Sequence, residues 1–240
     1  MVDVVRGGEH ALLIAPTGGG KTLAGFLPTL IDLTENPRAE NAGPHTLYIS
    51  PLKALAVDVE RNLMAPVREM GLPITIESRT GDTPTAKKQR QKERPPAILL
   101  TTPEQLALFC AWEGARHWFA DLKTVILDEI HAIQGGKRGD LLNLGLGRLQ
   151  SFAPAMRRIG LSATVQDPDM IRRWLVPQPV PTVTQDGEVL ENLSALVMGD
   201  PGAPPVVDVL YSKGDVPCRA GPPATPWPKS MKSSGPTGRP

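Results

Sequence analysis

The chain has 240 residues, with 26 basic and 25 acidic side chains and a formal net charge of +1. That length holds one large domain, or one domain with an appendage, and the near-neutral balance excludes polyanion binding through overall charge; local patches must do it instead. Two cysteines (Cys110 and Cys218) and four histidines show no paired ligand spacing, which argues against structural zinc or a disulfide framework and fits a reducing, cytoplasmic setting.

The N-terminal "MVDVVRGGEH" lacks the apolar stretch of a signal peptide, and no apolar run approaches membrane-spanning length, so no membrane partner is expected. The first predicted strand is "HALLIA". Behind it comes "APTGGGKT", which fits a Walker A loop with Ala15 where the strict pattern has Gly. Thr17, Gly18, Gly19 and Gly20 would let successive backbone N–H groups face nucleotide phosphates. Lys21 would reach the β- and γ-phosphates, and the Thr22 hydroxyl would ligate Mg²⁺. A glycine-rich turn that merely caps a strand is the plain alternative. The helix "KTLAGFLPTLIDLTE" follows.

Next come the strand "HTLYIS", the helix "LKALAVDVERNLMAPVREM" and the strand "ITIES". "RTGDT" reads either as a site loop or as an Asx-type turn, and Lys53 either as a phosphate contact or as a solvated helix residue. "KKQRQKER" reads as the solvated face of a helix. The strand "AILLTT" and helix "PEQLALFCAWEG" follow, with Cys110 as a small buried hydrophobe.

"TVILDEIH" is an apolar strand ending in two carboxylates. Asp128 would hold Mg²⁺, and Glu129 would orient or deprotonate a water. Read structurally, Asp128 is a helix N-cap and His131 a surface histidine. Both motifs together, in this order and context, favour nucleotide hydrolysis. Lys137 and Arg138 in "GGKRGD" stand close enough behind to meet DNA or a neighbouring domain. The helices "GDLLNLGLGRLQSFA" and "PDMIRRWLV" flank the last strand, "RRIGLSAT". Such alternation predicts an α/β domain of roughly 180 residues, its mainly parallel sheet covered by helices on both faces. Ten of the 26 prolines lie in the last 41 residues, where apolar periodicity disappears and a disordered tail is expected.

"APTGGGKT", "SPLKALAVD", "RTGDT", "TTPEQL", "LDEIH" and "GLSAT" occur in the order of motifs I, Ia, Ic, Ib, II and III of superfamily 2 helicases. From about His10 to Val176 the chain resembles the first RecA-like domain of a DEAD/DEAH-box helicase. More narrowly, it is similar to the bacterial large helicase-related (Lhr-like) family. The resemblance implies ATP and Mg²⁺ as cofactors, with Lys21, Asp128, Glu129 and His131 in catalysis. It implies that Ser162, Ala163 and Thr164 couple nucleotide state to strand contact. It places Pro51, Lys53, Arg79, Thr80, Gly81, Thr102 and Pro103 along a track for single-stranded or duplex DNA, or RNA. With aromatics at 4%, that track would follow the backbone rather than stack on bases.

The resemblance also calls for a second RecA-like domain carrying arginine fingers, and no matching motif occurs in the sequence. The expected layout is a RecA-like domain over residues 1–180, cut short at its N-terminus. A linker over 181–217 and a frameshifted, disordered tail over 218–240 would follow. The expected activity is that of a helicase ATPase domain with little unwinding by itself. The alternative is a non-catalytic nucleic-acid-binding fragment or a pseudogene product.

Overall fold

Every residue of the strands β1 (Ala11–Ile14), β2 (Thr46–Ile49), β4 (Ile98–Thr101) and β5 (Thr124–Leu127) is buried. Strands apolar on both faces need cover on both, which is the signature of a parallel sheet between helices. The computed structural model describes residues 1–16, 19–39, 42–163, 165–178 and 191–200, and among these the sheet has seven strands. They run β3–β4–β2–β5–β6–β1–β7, with β3 at Ile76–Arg79, β6 at Arg157–Ser162 and β7 at Ala195–Met198. All neighbouring pairs are parallel.

The two-residue strand period sorts the core into two layers. Leu13, Tyr48, Leu100, Ile126 and Leu161 pack beneath α1 (Val2–Arg6), α2 (Lys21–Glu35) and α3 (Lys53–Glu69). Leu12, Ile14, Ile49, Leu99, Val125 and Leu127 pack on the other face. There they meet α5 (Pro103–Cys110), α6 (Ala115–Trp118), α7 (Ile130–Ile133), α8 (Gly136–Phe152) and α9 (Pro168–Leu175). The remaining helix, α4 (Thr85–Glu93), covers the β3 edge; only its Gln91 is buried, reaching Glu77 and the Ser78 carbonyl. Gly25 lets α2 lie close on β6, because a Cβ there would come within 3.0 Å of the Leu161 methyls.

Six strands and the long helices stand where the sequence pattern puts them. Two boundaries move. Helix α8 begins at Gly136 rather than Gly139, its N-cap Gly135 taking φ 91°. The expected linker over 181–217 supplies β7, which pairs with β1 from Ala11↔Ala195 to Ile14↔Met198. The sheet therefore extends past residue 180. The expected tail over 218–240 lies outside the described residues. No helix among the described residues is long and apolar enough to cross a membrane.

Candidate nucleotide and nucleic-acid site

Because all strands run the same way, their C-terminal ends form one rim, where ligands of open α/β sheets bind. One half of that rim, above β5, β6 and β1, carries the glycine-rich loop and the acidic pair. After β1, the Ala15 N–H continues the ladder to the Ser162 carbonyl at 3.1 Å. The chain then turns, with the Gly19 N–H donating to the Pro16 carbonyl at 3.1 Å and Gly20 at φ 70°, before α2 starts at Lys21. That left-handed glycine carries no Cβ against the backbone and aims the first turn of α2 at the rim. Lys21 is buried, and its Nζ donates to the Pro16 carbonyl at 3.2 Å. Thr17 and Gly18 lie outside the described residues.

Asp128 follows β5 and is 5% exposed. Both of its carboxylate oxygens are engaged. Oδ1 accepts from the Glu129 N–H at 2.9 Å, and Oδ2 accepts from the Tyr48 hydroxyl. Burial, then the charge of Asp128, pushes the Tyr48 hydroxyl far above its ordinary value, so it stays protonated and donates. Glu129 takes φ 47° and ψ 45°, which turns the chain from strand into α7. It lines a cleft of about 440 Å³ together with Gly20, Lys21, Thr22 and Asn62. His131 Nδ1 stands 2.9 Å from Ser162 Oγ and 3.5 Å from Glu129 Oε2. Ser162 therefore touches both motifs, the loop through its carbonyl and the acidic turn through its hydroxyl. Ala163 is half-buried beside it, and Thr164 lies outside the described residues.

The donor set suits Mg²⁺ bound together with a nucleotide. No cluster of three or more His, Cys, Asp or Glu side chains able to hold a metal occurs among the described residues. An oriented carboxylate (Asp128) and a hydroxyl (Thr22) at a helix N-terminus match an ion that keeps waters and takes phosphate oxygens as its other ligands. A self-sufficient metal cage does not match this set.

The other half of the rim, above β3, β4 and β2, carries the residues expected along a nucleic-acid track. Pro51 is buried behind β2. Lys53 opens α3 and meets Asp82 with Nζ 3.1 Å from each carboxylate oxygen, both side chains being exposed. Gly81 passes beneath it, since a Cβ there would stand 3.2 Å from Lys53 Nζ. The Gly81 carbonyl accepts from Lys88 Nζ at 3.0 Å. Thr80 is buried, and its N–H donates to Thr83 Oγ1 at 2.9 Å. Thr102 and Pro103 cap and open α5.

Arg79 points inward. Its guanidinium lies 4.1 Å from the centre of the Phe109 ring and donates to the Lys88 carbonyl at 2.8 Å, and burial lowers its pKa. In this arrangement it ties β3 to α4 and α5 rather than facing the rim. Arg138 grips both oxygens of Glu104 at 2.6 and 3.2 Å, joining α8 to α5, while Lys137 is exposed. Motif spacing did not single out Tyr48, whose hydroxyl meets Asp128, or Phe26, which stacks on it at 5.2 Å. The available signal was one phenol between Leu47 and Ile49.

Comparisons with known proteins match this geometry. The DEAD/DEAH box helicase family matches residues 1–171. The Lhr helicase/probable uracil glycosylase of Mycolicibacterium smegmatis is 45% identical over 193 residues, covering 75% of this chain and 13% of the relative. ATP-dependent helicase Lhr-Core of Methanothermobacter thermautotrophicus is 40% identical over 188 residues, covering 73% and 22%. The solved structure of Mycobacterium smegmatis helicase Lhr bound to ssDNA and AMP-PNP has a TM-score of 0.68 at 40% identity, over 86% of this chain and 25% of that one. The chain thus spans about a tenth to a quarter of the length of these relatives. With its seven-stranded parallel sheet of the RecA-like kind and its sequence likeness to Lhr proteins, the chain belongs to the DEAD/DEAH box helicase family.

Proposed function

We propose that this chain is the ATP-binding domain of an ATP-dependent helicase, holding Mg·ATP over one half of the rim and a single-strand backbone over the other. The observation that carries the reading is the shared cleft. Lys21, Thr22 and Glu129 line it together, and Asp128, the neighbour of Glu129, is held by two hydrogen bonds. Lys21 would leave the Pro16 carbonyl for the β- and γ-phosphates, and the N-terminus of α2 would meet the same oxygens. Thr22 and Asp128 would hold Mg²⁺, which when bound neutralises charge developing on the phosphates. Glu129 would orient a water at the γ-phosphate and accept its proton. His131 and Ser162 would pass the state of that site to the loops beside it.

The strand is taken to be DNA because the Lhr structure at 40% identity holds ssDNA. Lys53, Gly81, Thr102 and Pro103 are the contacts proposed. Turnover and unwinding are assigned to the pairing of this domain with a second RecA-like domain that contributes arginine fingers, worth roughly 10³–10⁵ in rate in related phosphoryl-transfer enzymes. By itself the chain is proposed to bind nucleotide and strand while unwinding little.

Thermal unfolding with and without Mg·ATP tests the reading. At 100 times Kd the nucleotide stabilises the fold by about 2.7 kcal/mol, and Lys21→Ala removes that gain. An unchanged melting temperature at millimolar Mg·ATP would refute nucleotide binding and leave a nucleic-acid-binding domain only.

A further inference from the structure

We infer that Tyr48 is a positioning residue for the nucleotide site, its hydroxyl holding the Asp128 carboxylate in the orientation that meets Mg²⁺. The inference rests on the assignment of Asp128 to the metal. Tyr48 lies in the middle of β2, fully buried in a layer otherwise built from Leu13, Leu100, Ile126, Leu161 and similar side chains. A hydroxyl in such a layer costs free energy unless it is bonded, and phenylalanine would fill the same space without that cost. The hydroxyl finds its partner at the rim.

Register explains the reach. Tyr48 sits opposite Ile126, and Asp128 follows two residues later on the same face of β5. That is about 7 Å along the strand, close to the length of a tyrosine side chain. The ring cannot swing freely, because it stacks on Phe26 at 5.2 Å with 27° between planes. Phe26 belongs to α2, the helix that starts at Lys21. The carboxylate orientation is thereby tied to the helix that presents Lys21 and Thr22. With the Glu129 N–H on Oδ1 and Tyr48 on Oδ2, rotation of the carboxylate breaks one bond or the other. Tyr48 is also the side chain through which β2, from the nucleic-acid half of the rim, touches the acidic pair. Outer partners of this kind typically change metal affinity 10- to 100-fold when removed.

The test uses the full chain and a fluorescent ADP carrying a methylanthraniloyl group. Tyr48→Phe keeps the ring and its stack and deletes only the hydroxyl. The expected result is an unchanged metal-free ADP affinity and a roughly tenfold rise in the Mg²⁺ concentration that half-saturates the ternary complex. Val67→Ala, buried in the same layer near the C-terminal end of α3, serves as the packing control: it lowers the melting temperature and leaves Mg²⁺ half-saturation at the wild-type value. An unmoved half-saturation in Tyr48→Phe, with only a lower melting temperature, overturns the inference.

A second readout needs no Tyr48 variant. Ultraviolet resonance Raman of the wild-type ADP complex should show a tyrosine ring mode shifting on Mg²⁺ addition, and Asp128→Asn should abolish the shift. A tyrosine band indifferent to Mg²⁺ also overturns the inference. If wild-type ADP binding gains nothing from Mg²⁺, the assignment of the site itself fails, and that result is distinct from a failure of Tyr48 alone.

Discussion

The two halves of the sheet rim are built on different principles. Over β5, β6 and β1, two of the groups assigned to nucleotide chemistry are buried and held from both sides: Asp128 between Tyr48 and Glu129, Ser162 between Ala15 and His131. Over β3, β4 and β2, the exposed charges pair with one another across short distances, Lys53 with Asp82 and Arg138 with Glu104. A buried, hydrogen-bonded group keeps its position before any ligand arrives. An exposed ion pair is worth little and exchanges partners readily. Under the proposed function, one half holds geometry and the other trades one anion for the next, as gripping and releasing a strand backbone requires.

The largest expected effect tests whether the halves are separable. Lys21→Ala should erase the stabilisation by Mg·ATP and leave single-strand affinity in nucleotide-free buffer within about twofold, read by fluorescence anisotropy. An equal fall in both would merge the halves. Second comes Arg79→Ala, which removes a bond to the Lys88 carbonyl and a cation over the Phe109 ring. Urea unfolding should show a loss of about 2 kcal/mol. An unaltered midpoint together with weakened strand binding would return Arg79 to the track.

Third, Lys53→Ala should weaken strand binding uniformly across sequences and lower the salt slope by about one. Its stability should stay within about 0.5 kcal/mol, because the Asp82 pair is exposed. The smallest effect belongs to Asp82→Asn, which frees Lys53 and should tighten strand binding about threefold at low salt. Tighter binding that persists in high salt would show that Asp82 opposes the strand by some means other than its charge.

The difference between the halves also decided what could be read in advance. "APTGGGKT" and "TVILDEIH" are local, and their backbone requirements are written in consecutive residues; the start of α2 at Lys21, the strand end and the cleft they share follow. Arg79 is harder to place from sequence for the opposite reason. Its neighbours Thr80 and Gly81 suggest an open loop, but its environment is set by Phe109, thirty positions later. The Tyr48–Asp128 bond spans eighty positions and leaves no trace in either motif. Strand β7 escaped because four residues at a sheet edge owe their order to the backbone of β1, not to any pattern of their own. Short α7 is likewise a product of the turn at Glu129 rather than of helix propensity.

That turn has a further consequence. Glu129 is the one non-glycine residue with a positive φ among the described residues. A side chain in left-handed backbone costs of order 1–2 kcal/mol, so the resting domain stands below the stability its sequence would reach with glycine there. Directed evolution scored on heat tolerance alone would be drawn to that position. The survivors would melt later and would have lost the carboxylate proposed to orient the water.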